Sequence, residues 1–371
     1  MHPYKIILTA GFAMFSMFFG SGNLVFPLLI GTRTLSAYPY AIVGLVITAV
    51  LIPFVGLFGM MQFKGNRNAY FSLLGKHGAL ILTALMLGLI GPFGVLPRCI
   101  TVAFGGMSAL APSLPFWTFS LCFCLATAAL IWKRNRIVSI IGLVLTPIKL
   151  GSILFLIGAG IWAAGSIPFS MALPEESFLL GLVEGYQTMD LIAAFFFGCT
   201  IYEYVQMRFK ENPAHSHKWS LLKTCLYASL VGAALLSIVY IGFVLLGAKY
   251  APYLTATPPE SLLAEIATLS LGMYALPIIA MTLVFSCLAT ATILSTLCID
   301  FLKTDLCHNK IPRNLALLII LSITFGISLL GFQSIRIWMG SILQWIYPAL
   351  LGYAIFQILR NTIGKKLLKN T

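Results

Sequence analysis

The sequence predicts an all-α polytopic membrane protein in which ten transmembrane helices form a five-plus-five inverted repeat, with helices 1 and 6 broken. Three observations carry this expectation. Of 371 residues, 60% are hydrophobic and only 9% charged, whereas soluble domains carry about 25% charged residues. The apolar residues gather into ten stretches, each near the about 20 residues that cross a bilayer as a helix. The basic residues gather in alternate connecting loops, the distribution that sets topology in membrane proteins.

In chain order the apolar spans run 6–30, 38–62, 79–105, 114–132, 137–163, 186–206, 219–247, 271–302, 314–331 and 336–359. The first organises the rest. Its middle reads Gly20-Ser21-Gly22-Asn23 and it closes on Phe26-Pro27. A helix breaker inside a crossing exposes backbone groups that lipid cannot satisfy, so a ligand or another part of the protein has to do so. A cleaved signal peptide is the competing reading, since Lys5 precedes an apolar run ending in small residues. Cleavage would leave nine spans and a terminus on the wrong side for the charge pattern, so it is not expected.

A second interruption is expected in span six, where Phe196-Phe197-Gly198-Cys199 echoes Phe18-Phe19-Gly20-Ser21 from about half a chain earlier. Five spans per half make the halves insert with opposite topology, and paired interruptions at corresponding positions point to a transporter binding site. The repeats run approximately 1–165 and 180–360 within a single transmembrane domain. The other reading of the echo is a pair of glycines that merely let helices pack closely.

With the amino terminus cytoplasmic, Lys5, Lys64, Arg67, Lys76, Lys133, Arg134, Arg136, Arg208, Lys210, Lys218 and Lys223 fall inside. So do Lys303, Lys310, Arg313 and the tail residues Arg360, Lys365, Lys366 and Lys369. Only Arg33, Lys249 and Arg336 fall outside, where the loops carry the acids Glu175, Glu176, Glu184, Glu260 and Glu265. Both termini are therefore expected to be cytoplasmic. The net charge of +13 follows the membrane and does not mark a nucleic-acid-binding face.

Several function classes drop out. The eight cysteines have no CxxC spacing, and the five histidines lie outside the spans, with His215 and His217 in a polar loop, so neither disulfides nor a metal centre is expected. There is no HExxH, GxSxG or phosphate-binding glycine loop, so the protein is not expected to be an enzyme. Loops this short leave no partner-binding domain, and no cofactor or obligate protein partner is expected. A channel would need charged rings or repeated pore motifs.

Four stretches carry a resemblance: FFGSGNLVFP at 18–27, GPFGVLPRCITVAF at 91–104, GYQTMDLIAAFFFG at 185–198 and CLATATIL at 287–294. Together they resemble the branched-chain amino acid:cation symporter family of the BrnQ type, within the amino acid–polyamine–organocation superfamily of LeuT-like fold. That family usually adds two further helices at the carboxyl end; the resemblance here covers the ten-helix core. It implies import of leucine, isoleucine and valine across the cytoplasmic membrane of a bacterium, coupled to Na+ or H+, the alternative being a transporter of other neutral amino acids within the same superfamily.

A zwitterion entering low dielectric needs a partner for each charge. Gly20, Ser21 and Gly22 would offer helix-terminal N–H groups to its carboxylate, and the carbonyls of Phe195, Phe196, Phe197, Gly198 and Cys199 would take its ammonium. The phenylalanines crowding both breaks suit an aliphatic cargo. By the resemblance, a sodium ion would use carbonyls near Ser16 and Phe19 with Thr290, although Ala289 stands where many members have a second threonine; Asn23 matches an asparagine that helps hold a second sodium. Lys149, about 18 Å into a core about 30 Å thick, is a functional-site candidate by its cost alone, and in sodium-independent superfamily members a lysine on the fifth helix replaces the ion. Arg98 and Asp190, alike in depth and opposite in sign, are expected to form an outer gate pair.

Overall fold

The computed structural model describes residues 3–132, 137–211 and 220–370, and all regular structure among them is helical. Lys133, Arg134, Arg136, His215, His217 and Lys218 lie outside the described residues.

The chain opens with α1 (Pro3–Phe18), which stops where Gly20 turns extended at φ −114° and ψ −160°, and α2 (Ser21–Thr34) restarts at once. After a short 3-10 turn come α3 (Tyr38–Val46) and α4 (Ile52–Gln62), joined by a wide turn at Ile47–Leu51. The turn lies just before Pro53, whose ring and missing N–H disturb the regular ladder. Next are α5 (Arg67–Phe71), α6 (Gly75–Ile90) and α7 (Val95–Leu110). Span three is thus not the single helix expected. Gly91-Pro92-Phe93-Gly94 interrupts it, with Phe93 N–H turning back to the Gly88 carbonyl at 3.1 Å.

Helices α8 (Phe116–Trp132) and α9 (Ile137–Ala163) follow, then α10 (Pro174–Tyr186) and α11 (Asp190–Glu211), which meet at a bend of 45°. The remainder comprises α12 (Leu221–Tyr250), α13 (Leu262–Leu271), α14 (Leu276–Phe301), α15 (Arg313–Ser328) and α16 (Gly331–Asn370). By length and composition five helices among the described residues can each cross a membrane, and the bent pair α10–α11 makes a sixth. Trp162, 93% exposed, with Trp132, Phe155 and Trp345, shows an apolar exterior suited to lipid.

Inside, α1 and α2 both pack on α12, α7 packs on α14, α11 on α4, and α3 on α10. Lipid tails are as apolar as leucine, so close backbone approach supplies much of the association energy. At the α2–α12 crossing a methyl group on Gly31 would overlap the Val244 carbonyl, and one on Gly247 would overlap the Leu28 carbonyl. No side chain fits there. Gly247→Ala should therefore cost about 1–3 kcal/mol of stability, whereas Gly352→Ala, with nothing within 4 Å of the new methyl, should be neutral or slightly stabilising. Thermal unfolding of the two variants in detergent checks the contrast.

Candidate functional site

At the first interruption the Phe19 N–H still closes on the Phe15 carbonyl at 2.9 Å, while the Gly20 N–H turns to the side-chain oxygen of Asn23 at 3.2 Å. Ser21, Gly22 and Asn23, the first turn of α2, are all buried. Their backbone N–H groups form the positive end of a helix deep inside the protein.

The second interruption does not fall at Gly198. It lies at Gln187-Thr188-Met189, between α10 and α11, with Met189 at φ +60°. The two breaks face each other: a methyl on Gly22 would lie 3.1 Å from the Thr188 Cα and 3.2 Å from the Gln187 carbonyl oxygen. Between them is a cavity of about 20 Å³ bordered by Gly20, Ser21, Asn23, Thr188, Asp190 and Thr290. That is room for one water molecule.

This relocates part of the expected site. Phe195 packs against Tyr70 and Phe71 at ring distances of 5.7 and 5.8 Å. Phe196 lies under the Arg67 guanidinium at 5.8 Å, and a methyl on Gly198 would meet Met60 at 3.1 Å. The Cys199 thiol donates to the Phe195 carbonyl at 3.4 Å, inside an unbroken helix. Of the five residues 195–199 only Phe197 borders the cavity, edge-on to Phe18 at 5.3 Å. A glycine in an apolar helix here serves close packing on α4 and does not break the helix.

The charged groups are arranged by neutral partners. Asp190 accepts from the Asn23 amide at 3.2 and 3.0 Å and from the Tyr240 hydroxyl at 2.8 Å, and Asn23 also meets Tyr240. Arg98 is fully buried; its Nη1 donates to the Gln187 amide oxygen at 3.4 Å, and the Phe26 ring lies 5.3 Å from the guanidinium. Arg98 and Asp190 therefore do not form the direct ion pair expected of them, because each is engaged elsewhere. The ion cluster that does form lies between α10, α2 and α16. Glu184, expected in an outer loop, is buried in α10 and binds Arg33 at 3.3 Å and Arg336.

Lys149 is 6% exposed and donates from Nζ to the Phe19 carbonyl at 3.2 Å, with the Phe19 ring 5.1 Å away. It borders a second cavity, of about 380 Å³, with Ser16, Ser152, Ser286 and Ala289, between α1, α9 and α14. Thr290 lies on the other side, where a methyl on Gly20 would come within 3.0 Å of its Cγ2. The proposed sodium ligands Ser16 and Thr290 thus border different cavities, and the Phe19 carbonyl is already bound by an ammonium. No group of three metal-binding His, Cys, Asp or Glu side chains occurs among the described residues.

A family profile described as "Branched-chain amino acid transport protein" matches residues 4–370. The chain belongs to that family. Among its relatives, the branched-chain amino acid transport system 3 carrier protein of Pseudomonas aeruginosa is 28% identical over 351 residues, covering 92% of this chain and 78% of the relative. The branched-chain amino acid permease BrnQ of Bacillus subtilis is 27% identical, covering 97% and 82%, and that of Escherichia coli K12 is 24% identical, covering 96% and 80%. This is a family of transport proteins and not of enzymes.

In this branched-chain amino acid transport family member, Gln187, Thr188 and Tyr240 escaped the sequence reading. The polar residues Gln187, Thr188 and Asp190 close together in an apolar span were the available signal for the first two; nothing local marks Tyr240. Tyr240→Phe should cost about 1–3 kcal/mol, since it leaves a buried carboxylate short of a donor. Adding Asp190→Asn should recover part of that loss. Thermal unfolding of single and double variants reads the coupling; strictly additive losses would show that Tyr240 does not serve Asp190.

Proposed function

We propose that the protein is a secondary active symporter that imports leucine, isoleucine and valine across the cytoplasmic membrane, with both termini cytoplasmic. The observation that carries this reading is the pair of buried helix interruptions facing each other across a small cavity. The names of the relatives supply the cargo class.

In this scheme ten crossings form two inverted halves of LeuT-like, amino acid–polyamine–organocation type. The lengths of the apolar segments agree with more than six crossings: Ser21–Gln62 has 42 residues and Arg67–Leu110 has 44, about twice what one crossing requires. The α2 amino terminus at Ser21, Gly22 and Asn23 attracts the carboxylate. Carbonyls at Gln187 and Thr188, together with Asp190, take the ammonium. Met17, Phe18, Ile90, Val95, Phe197 and Leu294 border the same cavity, an apolar set that favours an aliphatic side chain and rejects a charged one. A cavity of about 20 Å³ cannot hold leucine, so the halves have to part to load and unload it, as alternating access requires.

Lys149 is the coupling residue in this scheme. Its ammonium binds the carbonyl that a sodium ion would use, and proton exchange at the amine then links ion movement to the state of the α1–α2 break. Water in the neighbouring cavity beside Ser16 and Ser152 supplies the proton route. Purified protein in proteoliposomes should accumulate radiolabelled leucine against its gradient when the outside is acidified. Lys149→Ala should abolish the pH response. Uptake by Lys149→Ala that keeps its pH dependence, or wild-type uptake that tracks external sodium at constant pH, would remove the assignment.

A further inference from the structure

Arg98 is the buried charge whose surroundings are incomplete. It is 0% exposed, yet Nε and Nη2 have no hydrogen-bond partner and Nη1 reaches only the neutral Gln187 amide, at 3.4 Å. The buried acids of the region face other groups: Asp190 meets Asn23 and Tyr240, and Glu184 holds Arg33 and Arg336 through Oε1, its Oε2 having no partner. A guanidinium is a planar fork of donors that matches a carboxylate with two parallel bonds. Asp190 acts on Arg98 only through space, without a hydrogen bond, and a buried guanidinium whose donors are left open is strongly unfavourable.

Its position says which anion belongs there. Gln187, whose side chain meets Arg98, and Phe26, whose ring faces the guanidinium, both also lie against the start of α2: a methyl on Gly22 would lie 3.2 Å from the Gln187 backbone carbonyl oxygen and 3.5 Å from the Phe26 ring. Gln187 and the Phe26 ring thus link the guanidinium to the start of α2. The Gln187 Nε2 is tethered to the Arg336 carbonyl at 3.1 Å, which holds the amide oxygen toward Arg98.

We infer that Arg98 is the charged partner of the substrate's carboxylate, and that the Gln187 amide oxygen keeps that place while the site is empty. The inference rests on the reading of the protein as an amino-acid carrier and names the residue that decides carboxylate recognition. An entering amino acid displaces the Gln187 amide, the carboxylate takes Nη1 in its place together with the unbonded Nη2, and the remaining lone pairs stay open to the N–H groups of α2. An alcohol or amine with the same aliphatic chain cannot complete the fork.

Calorimetric titration of the purified full-length protein with leucine and with leucinol, in which a hydroxymethyl group replaces the carboxylate, tests this. Wild type should bind leucine about 100-fold more tightly than leucinol. Arg98→Gln should lose about 100-fold in leucine affinity, as truncation of a buried charge pair does, while leucinol is unaffected, so the discrimination collapses to within a few-fold. Gln187→Glu gives the guanidinium a built-in carboxylate; it should melt no lower than wild type and lose leucine affinity by a similar factor, which keeps the test decisive if Arg98→Gln does not fold. Wild-type discrimination surviving in either variant overturns the inference, as does leucine binding that requires chloride and keeps that discrimination without Arg98. Absence of leucine, isoleucine and valine binding in wild type would instead remove the carrier reading on which the inference stands.

Discussion

A polypeptide in lipid has no water to satisfy its backbone, so every peptide group left open by a broken helix has to find a partner within the protein or in a ligand. Here two such openings are brought together. Gly20–Asn23 at the start of α2 stands against Gln187–Met189 at the start of α11, so closely that Gly22 has no space for a side chain without pushing on the opposing backbone. The first break is flanked by the packing of α1 and α2 on α12 and by the close glycine crossing at Gly31 and Gly247.

The same constraint explains how the interior charges are distributed. Asp190 begins α11 beside the second break, and its carboxylate is satisfied by Asn23 from the other break and by Tyr240 from α12. One side chain therefore ties together three elements far apart in sequence. Lys149 reaches the Phe19 carbonyl at the end of α1 from the opposite side, so the first interruption has a helix start facing one cavity and a helix end bound by an ammonium beside another. Any ligand or proton that alters either cavity bears directly on the geometry of this one break.

The break at Gly20 was legible because glycine, serine and asparagine in the middle of an apolar run leave few alternatives. The second was misread for a physical reason. Phe196-Phe197-Gly198 copies the first motif in letters, but Gly198 packs against Met60 in a continuous helix, and glycine's two uses in membrane helices look identical in sequence. The interruption found is marked by the polar residues Gln187, Thr188 and Asp190 around Met189, within a stretch already marked by its family resemblance. Likewise Gly91-Pro92-Phe93-Gly94 carried a breaker that averaging over an apolar span concealed. The similar depth of Arg98 and Asp190 suggested a pair; depth alone cannot reveal that Gln187, Asn23 and Tyr240 intervene from other helices.

The account stands on the two interruptions clasping one amino acid between them. A structure determined with leucine bound tests it most directly. The ligand should lie between Ser21–Asn23 and Thr188–Asp190, in an enlarged form of the small central cavity, with its aliphatic end toward Phe18 and Phe197. Leucine found along Phe195–Cys199, or in the cavity beside Ser152 and Ser286 with the two breaks still closed on each other, would contradict it.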